Sequence, residues 1–157
     1  MGLDMYLTAR KYVAGYDFQS EELQGAYKKM LKATGMTASD LKYGNPSGYI
    51  LLTVGYWRKA NAIHQWFVKN VQGGVDECQN ARVYREQLQE LKTACDEVLA
   101  DATKARELLP TTSGFFFGET DYDEWYHDGV KHTSEMLEML LSNPKFEDCD
   151  FDYQSSW

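Results

Sequence analysis

Hydrophobic and polar residues alternate in segments near both ends of the chain. Residues 3–13 place Leu3, Met5, Leu7 and Ala9 on one face, and residues 151–157 alternate in the same way. A period of two residues is typical of a strand with one buried face. Residues 49–54 are rich in β-branched and aromatic side chains and follow the turn Asn45-Pro46-Ser47-Gly48. We therefore predict three strands.

Apolar residues recur at three- and four-residue spacing in four other segments, which predicts four helices. The first begins after Ser20 and ends at Gly35, since serine caps helix starts and glycine helix ends. The second covers residues 56–71 and the third covers residues 84–102. The fourth follows Thr120, with Asp123 three residues later as a capping arrangement, and ends near Asn143-Pro144.

The order of these segments predicts the fold class. One strand, one helix, a second strand, three helices and a final strand indicate an α+β protein. We expect a small antiparallel or mixed sheet with about four helices packed against it. A chain of 157 residues buries enough surface for one hydrophobic core, so we expect a single domain over residues 1–157.

Composition narrows the classes of protein. The chain is 43% hydrophobic and 25% charged, which is typical of a globular protein, and no apolar run approaches the roughly 20 residues that cross a bilayer. Asp4 lies where a secretory signal would be basic, and the three cysteines are too few and too scattered for a disulfide framework. We expect a soluble, cytoplasmic protein without a membrane partner. The net charge of −8 argues against direct nucleic-acid binding.

The segment Tyr56-Trp57-Arg58-Lys59-Ala60-Asn61-Ala62-Ile63-His64-Gln65-Trp66-Phe67 has the most unusual chemistry. On a helix, His64 falls inside the apolar arc and Asn61 falls at its edge, so both need hydrogen-bond partners or a polar cavity. One interpretation is that both are paired structural groups. The other is a binding site in which Trp57 and Trp66 form apolar walls and Arg58 and Lys59 supply positive charge, which suits a nucleotide-like or phosphorylated ligand. The two cations also fit an ordinary solvated face.

Two aromatic segments follow later in the chain. Residues 113–118 place three phenylalanines between glycines, a pattern that favours a structural strand. The alternative is a mobile loop in which one ring, for which we select Phe116, closes over a ligand or packs on a partner protein. Residues 121–126 combine acidic and aromatic side chains, including Tyr122. That combination is found at protein interfaces and also at ordinary helix starts.

The sequence gives little support for a metal, a cofactor or a catalytic centre. His127 and His132 are five residues apart, so on a helix they point about 140° away from each other. Neither phosphate-binding glycine motif is present, and we expect no cofactor. Nucleophilic catalysis through His64 with a carboxylate such as Asp4 has no local signature, and it remains an alternative as a small hydrolase or transferase.

Five motifs in order carry a resemblance to a known family. They are the opening Met1-Gly2-Leu3-Asp4-Met5-Tyr6-Leu7, residues 56–72, residues 113–118, residues 121–126 and the terminal Gln154-Ser155-Ser156-Trp157. In these motifs the chain resembles a family of small proteins of phages, prophages and bacteria. The resemblance implies an accessory role in a bacterial host cell, but no ligand or catalytic residue. At Tyr84 the family tends to place a serine that would form a capping box with Gln87, so a weaker or shifted helix start is implied.

Together these observations predict a binding protein that interferes with a host defence system. It would do so by binding a host protein or by sequestering a nucleotide-like ligand, and the sequence leaves its oligomeric state open. An acidic mimic of nucleic acid is a further alternative, based on the net charge and on the acidic residues 147–152. The candidate ligand-binding residues are Asp4, Tyr6, Trp57, Arg58, Asn61, His64, Trp66, Phe116, Tyr122 and Trp157.

Overall fold

The computed structural model describes residues 2–114 and 117–157. The chain forms two compact units. The first unit consists of Met1–Ala9 and Thr53–Trp157, and the second unit consists of Arg10–Leu52. A single domain over residues 1–157 therefore stays a prediction.

An antiparallel sheet with separate helices confirms the α+β class. Four strands form one antiparallel sheet in the order β2-β1-β4-β3. Short 3₁₀ turns at Ala102–Lys104 and Pro144–Phe146 complete the described elements. The elements are β1 (Asp4–Ala14), α1 (Glu21–Thr34), β2 (Ser47–Arg58), α2 (Asn61–Asn70), β3 (Ala81–Val83), α3 (Arg85–Ala100), α4 (Ala105–Leu108), α5 (Glu124–Ser142) and β4 (Asp150–Ser156).

The three predicted strands are confirmed as β1, β2 and β4. Met5 and Leu7 of β1 are fully buried, as is Leu3 just before the strand, as the period of two requires. The strand β3 was not predicted because it has only three residues, too few to show a period. It pairs antiparallel with β4, with Val83 opposite Phe151, and so forms the far edge of the sheet.

The predicted helix over residues 56–71 is wrong in its first five residues. The strand β2 continues to Arg58, and α2 begins only at Asn61. In this part of β2 Trp57 is buried while its neighbours Tyr56 and Arg58 are exposed, which is strand alternation. Lys59 has a positive φ of 56°, and this left-handed residue turns the chain from the strand into the helix.

Helix ends follow local capping chemistry. The hydroxyl of Ser20 accepts a hydrogen bond from the Leu23 N–H at 3.3 Å, and Gly35 ends α1 with a φ of 71°, so both predicted ends are confirmed. The fourth predicted helix is capped by Asp123, whose carboxylate accepts from the Tyr126 N–H, and the prediction of a start at Thr120 is wrong.

The helix α3 keeps its expected start although Tyr84 occupies the capping position. The side chain of Gln87 accepts a hydrogen bond from the Tyr84 N–H at 2.9 Å, which is the half of a capping box that does not need a serine. The helix therefore begins at Arg85 without a shift.

The core of the first unit lies between the sheet and helices α2, α3 and α5. Buried side chains from β1 and β4 meet those of the helices, and α3 packs along α5. Such a contiguous apolar cluster is the main source of stability. Its fully buried larger members are Leu3, Met5, Leu7, Ile63, Phe67, Leu88, Leu91, Leu109, Leu137, Leu140 and Tyr153.

A polar cluster joins α3 to α5 at the edge of this core. Lys92 Nζ lies 2.7 Å from Asp96 and 2.9 Å from Glu138, and Ser134 donates a hydrogen bond to Asp96. Burial tends to raise the pKa of Asp96, but the hydrogen bonds from Lys92 and Ser134 outweigh burial and hold that pKa below its ordinary value. The carboxylate form of Asp96 is therefore favoured in the folded chain.

We expect Asp96→Asn to reduce the dependence of stability on acid pH. Because the folded pKa of Asp96 is lowered, its stabilising contribution is present above the unfolded pKa of about 3.8 and is lost as pH falls through the folded value. The side chain is 46% exposed, so screening should limit the contribution to under about 1 kcal/mol. Urea denaturation of the unchanged chain and of Asp96→Asn, between neutral pH and pH 3, measures this contribution. An equal loss of stability with acid in the two proteins would contradict the lowered pKa of Asp96.

The second unit has a small interior of its own. Val13, Ala14 and Tyr27 are buried, and Gly15 lies directly against the Tyr27 ring. A Cβ at position 15 would come within 2.5 Å of that ring, so the close approach requires glycine. The Gly15 N–H also donates to the Pro46 carbonyl at 2.6 Å, which ties the end of β1 to the start of β2.

Of the cysteines, Cys95 is part of the core, and burial raises the pKa of its thiol to about 12. A thiol with that pKa stays protonated and unreactive at neutral pH. Cys78 and Cys149 are half-buried. None of the described helices combines the length and the apolar character needed to cross a bilayer.

Candidate functional site

The turn between β2 and α2 forms one wall of a cavity in the first unit. The Lys59 N–H donates to the Leu3 carbonyl at 2.8 Å, which fixes the turn against the start of the chain. Arg58 and Lys59 both line the cavity. Neither cation has an ion-pair partner among residues 2–114 and 117–157. Their positive charge is therefore available to a bound anion.

The first turn of α2 continues this wall. Its capping residue is Ala60, which has no side-chain oxygen to accept from the first amides of the helix. The N–H groups of Ala62 and Ile63 have no hydrogen-bond acceptor in the described part of the chain, and both residues line the cavity. Free amides and the positive end of the helix dipole add to the attraction of Arg58 and Lys59 for an anion.

Asn61 lines the cavity and makes three hydrogen bonds to the backbone of residues later in the chain. Its amide nitrogen donates to the carbonyls of Phe117 at 3.2 Å and Glu119 at 2.8 Å. Its carbonyl oxygen accepts from the Thr112 N–H at 3.1 Å. A buried amide with this complete set is fully satisfied, so its role in the free protein is to hold the backbone of Thr112, Phe117 and Glu119 in place.

The opposite wall is the first turn of α5. Trp125 lines the cavity with 82% of its surface exposed, which leaves a flat ring available for stacking. Tyr126 lies deeper and donates from its hydroxyl to the Leu109 carbonyl at 2.9 Å. Burial, and then the neighbouring Tyr122, raise the pKa of Tyr126 well above its ordinary value, so its hydroxyl stays a protonated donor.

The cavity between these walls has a volume of about 430 Å³. That volume falls in the range of roughly 300–1,000 Å³ that is typical of small-molecule sites. Positive charge is concentrated at Arg58 and Lys59, and the carboxylates of Glu119, Asp121 and Asp123 supply negative charge. The Asp123 carboxylate already accepts a hydrogen bond from the Tyr126 N–H. The remaining polar and apolar lining comes from Ala60, Asn61, Ala62, Ile63, Thr111, Gly118, Trp125, Tyr126, Gly129 and Val130.

His64 lies in the core and does not line this cavity. Its Nε2 is 2.9 Å from Asp76, and its Nδ1 is 2.7 Å from the Tyr153 hydroxyl. A carboxylate only accepts, so we assign the proton to Nε2 and let Tyr153 donate to Nδ1. Burial raises the pKa of Tyr153 and keeps that hydroxyl protonated. Both ring nitrogens are thus occupied within the fold.

The two tryptophans that were predicted to form the apolar walls of a ligand site pack in or against the hydrophobic core. The Trp57 indole N–H donates to the Thr133 hydroxyl at 2.8 Å, and its ring packs on Phe67. Trp66 is half-buried and packs edge-on against the other side of Phe67. Neither ring lines the cavity. A buried indole with its N–H paired is a structural group in this position.

The remaining predicted site residues lie in other places. Asp4 and Tyr6 are outward-facing residues of β1, where Asp4 accepts a hydrogen bond from Tyr56 at 2.5 Å. Tyr122 lines a second, more open hollow of about 530 Å³ beside Arg106. Trp157 donates from its indole to Asp76 at 3.1 Å. Phe116 lies outside the described residues.

The structure therefore brings Arg58 and Asn61 together at one cavity and places the other predicted residues elsewhere. Lys59, which the binding-site interpretation of the sequence paired with Arg58, also lines the cavity, whereas sequence reasoning did not select Glu119, Asp121 or Trp125 as ligand-binding residues. One available signal was Trp125 itself, a large ring outside the apolar stripe of its helix. Among residues 2–114 and 117–157, no group of three His, Cys, Asp or Glu side chains is arranged to hold a metal ion.

No protein-family model, no curated protein and no solved structure matches the chain.

Proposed function

We propose that this chain is a binding protein that holds a small nucleotide-like ligand in the cavity between the first turns of α2 and α5. The observation that carries the proposal is the position of two unpaired cations and a helix start without a side-chain cap opposite an exposed tryptophan ring. A phosphorylated aromatic ligand has the two groups that these surfaces bind.

The phosphate would lie at Arg58, Lys59 and the free amides of Ala62 and Ile63. Charge-assisted hydrogen bonds from guanidinium and ammonium groups are the stronger class of hydrogen bond, and helix starts favour anions. Because the amides belong to the backbone, they are held in place before the ligand arrives. A preorganised site loses less entropy on binding.

The base would stack on Trp125, with its exocyclic amine near Glu119 and Asp121. Carboxylates accept hydrogen bonds from amino groups, and an exposed indole is a favourable surface for any base. This division of the cavity into a positive and a negative side supports a ligand that carries both an anion and a hydrogen-bond donor. A simple inorganic anion would leave the acidic side unused.

The alternative of a hydrolase or transferase using His64 gains no support from this geometry. The imidazole is fully buried, both of its nitrogens are occupied, and it lies outside the cavity lining. The acidic-mimic alternative needs regular negative charge on one face. On β4 the acidic series is interrupted by Arg82 of the neighbouring strand, which forms an ion pair with Asp150.

The biological setting that we propose follows the resemblance of the sequence to phage and prophage proteins. Sequestering a nucleotide-like signal in the cytoplasm of a bacterial host would interfere with a defence system that depends on that signal. Masking a host protein is the other form of interference that the same setting allows.

We expect isothermal titration to detect binding of at least one nucleoside monophosphate among AMP, CMP, GMP and UMP. The double variant Arg58→Gln with Lys59→Gln should weaken that binding by about tenfold or more, since each charge-assisted hydrogen bond contributes about 1.5 kcal/mol or more. The matched control is Lys131→Gln, an exposed lysine on α5 outside the cavity. It should bind as the unchanged chain does.

The same titration with Trp125→Ala tests the aromatic side of the site. Base stacking on an aromatic ring contributes about 1–3 kcal/mol, so a loss of about tenfold is expected. Trp125 is so exposed that its removal should leave the unfolding temperature nearly unchanged. Failure of all four nucleotides to bind or to raise the unfolding temperature at about 1 mM would remove the basis of the proposal.

A further inference from the structure

A second feature of the chain, independent of the cavity, is the free edge of the sheet. Among the described strands, β2 is outermost in the sheet and pairs with β1 alone. The part of β2 in the second unit, residues 47–52, includes Tyr49, Leu51 and Leu52, which are 52%, 61% and 56% exposed. Outside the sheet ladder, residues 49–52 make no backbone hydrogen bond to any described residue. The outward N–H and C=O groups of this edge are therefore open.

Natural proteins usually protect such an edge from pairing with other strands. They do so with charged side chains, a proline within the strand, or a covering loop. No charged residue occurs between Lys42 and Arg58, and the nearest proline, Pro46, precedes the strand. This edge combines open backbone groups with exposed apolar side chains, which is the arrangement that favours strand addition.

We propose that the edge formed by residues 47–52 pairs antiparallel with the same edge of a second copy of this chain. Two-fold antiparallel pairing of residues 47–52 would bring Tyr49 opposite Ile50 at its centre and would place no charge opposite a like charge. A charged peptide or protein would find no complementary side chain within this edge to select it. The uncharged sequence therefore fits itself better than it fits a charged partner.

The aromatic ring beside the edge is already held in position. Tyr49 packs against Tyr12 with ring centroids 5.6 Å apart, and the Arg10 guanidinium lies 5.0 Å from the Tyr49 centroid. A fixed ring costs less entropy on association than a mobile one. Six paired residues form a small interface. Interfaces that bury less than about 1,200 Å² of accessible surface are typical of weak association. We therefore expect a dimer that forms only at high protein concentration.

Sedimentation velocity of the full chain between about 5 and 500 µM tests this proposal at the concentrations where weak interfaces assemble. The unchanged chain should shift from its monomer mass of 18.1 kDa toward twice that mass. Leu51→Lys should weaken dimerisation by at least about tenfold, because a lysine on an edge strand opposes pairing with another strand. The matched control Leu99→Lys, at a 42% exposed leucine of α3, should dimerise like the unchanged chain.

A second edge variant, circular dichroism and hydrogen exchange test whether any dimer forms through this edge. Leu52→Lys introduces the charge on the other face of the strand, and circular dichroism confirms that each variant is folded. Amide hydrogen exchange of residues 49–52 should slow as concentration rises. A chain that stays monomeric throughout, or a dimer that Leu51→Lys and Leu99→Lys affect equally, would overturn the proposal.

Discussion

Replacing His64 with alanine should lower the free energy of unfolding by about 3 kcal/mol or more, the largest loss that we expect from one polar side chain here. The change removes a fully buried ring and leaves a cavity against Phe117 and Tyr153. It also leaves the Tyr153 hydroxyl without the nitrogen to which it donates a hydrogen bond. The Asp76 carboxylate loses the ring N–H from which it accepts a hydrogen bond.

Chemical denaturation measures this loss, and two variants calibrate it. His132→Ala replaces an exposed histidine of α5 and should cost well under about 1 kcal/mol, as surface substitutions usually do. Tyr153→Phe should fall between the two at about 1–2 kcal/mol, because it removes one hydrogen bond but preserves the ring that stacks on Phe67. If His64→Ala kept full stability but lost nucleotide binding, His64 would belong to the ligand site.

The elements that could be predicted from the sequence are those whose signals are local. In α1 the serine and the glycine that end the helix lie within the segment itself, and in β1 four buried positions share a period of two. Residues 56–60 were misassigned because Trp57, Ala60 and His64 fit a helical period, whereas Trp57 is buried by strand alternation. The left-handed turn at Lys59 that separates the two elements carries no mark in residue type, since lysine rarely adopts it.

The candidate site was only partly predictable because inward-facing polar residues can be satisfied in two ways. The sequence placed Asn61 and His64 on the inner face of a helix, but it could not show which partners would reach them. His64 is paired with Tyr153, 89 residues further along the chain, and this partner draws it into the core. Asn61 is paired with the segment that covers the cavity, so it remains beside the site.

The residues that sequence reasoning did not select have ordinary individual explanations. Glu119 and Asp121 are charged residues of loops, where solvated charges are common. Trp125 lies in the first turn of a helix whose apolar stripe runs through Val130 and Leu137. Only the convergence of two helix starts on one cavity gives these residues a shared role, and that convergence depends on tertiary packing.

Replacing Asn61 with alanine should lower the free energy of unfolding by about 2–4 kcal/mol and should abolish nucleotide binding in the same variant. Three backbone groups, the carbonyls of Phe117 and Glu119 and the Thr112 N–H, lose their partner at once. These hydrogen bonds are only partly buried, so water offsets part of the about 1–3 kcal/mol that each unsatisfied buried group would cost. The segment that covers the cavity would then no longer be held against α2. Because Glu119 and Gly118 line the cavity, the ligand site would be lost with it.

Three measurements separate this role of Asn61 from a general effect of changing α2. Asn70→Ala, on the same helix, removes an exposed amide that bonds only to the preceding turn and should cost well under about 1 kcal/mol. Asn61→Asp preserves the shape but would place a carboxylate against two carbonyl oxygens, so it should destabilise at least as much as alanine. Hydrogen exchange at the Thr112 amide should accelerate in Asn61→Ala; an unchanged rate would contradict the view that Asn61 holds this segment, because that amide bonds to its side chain.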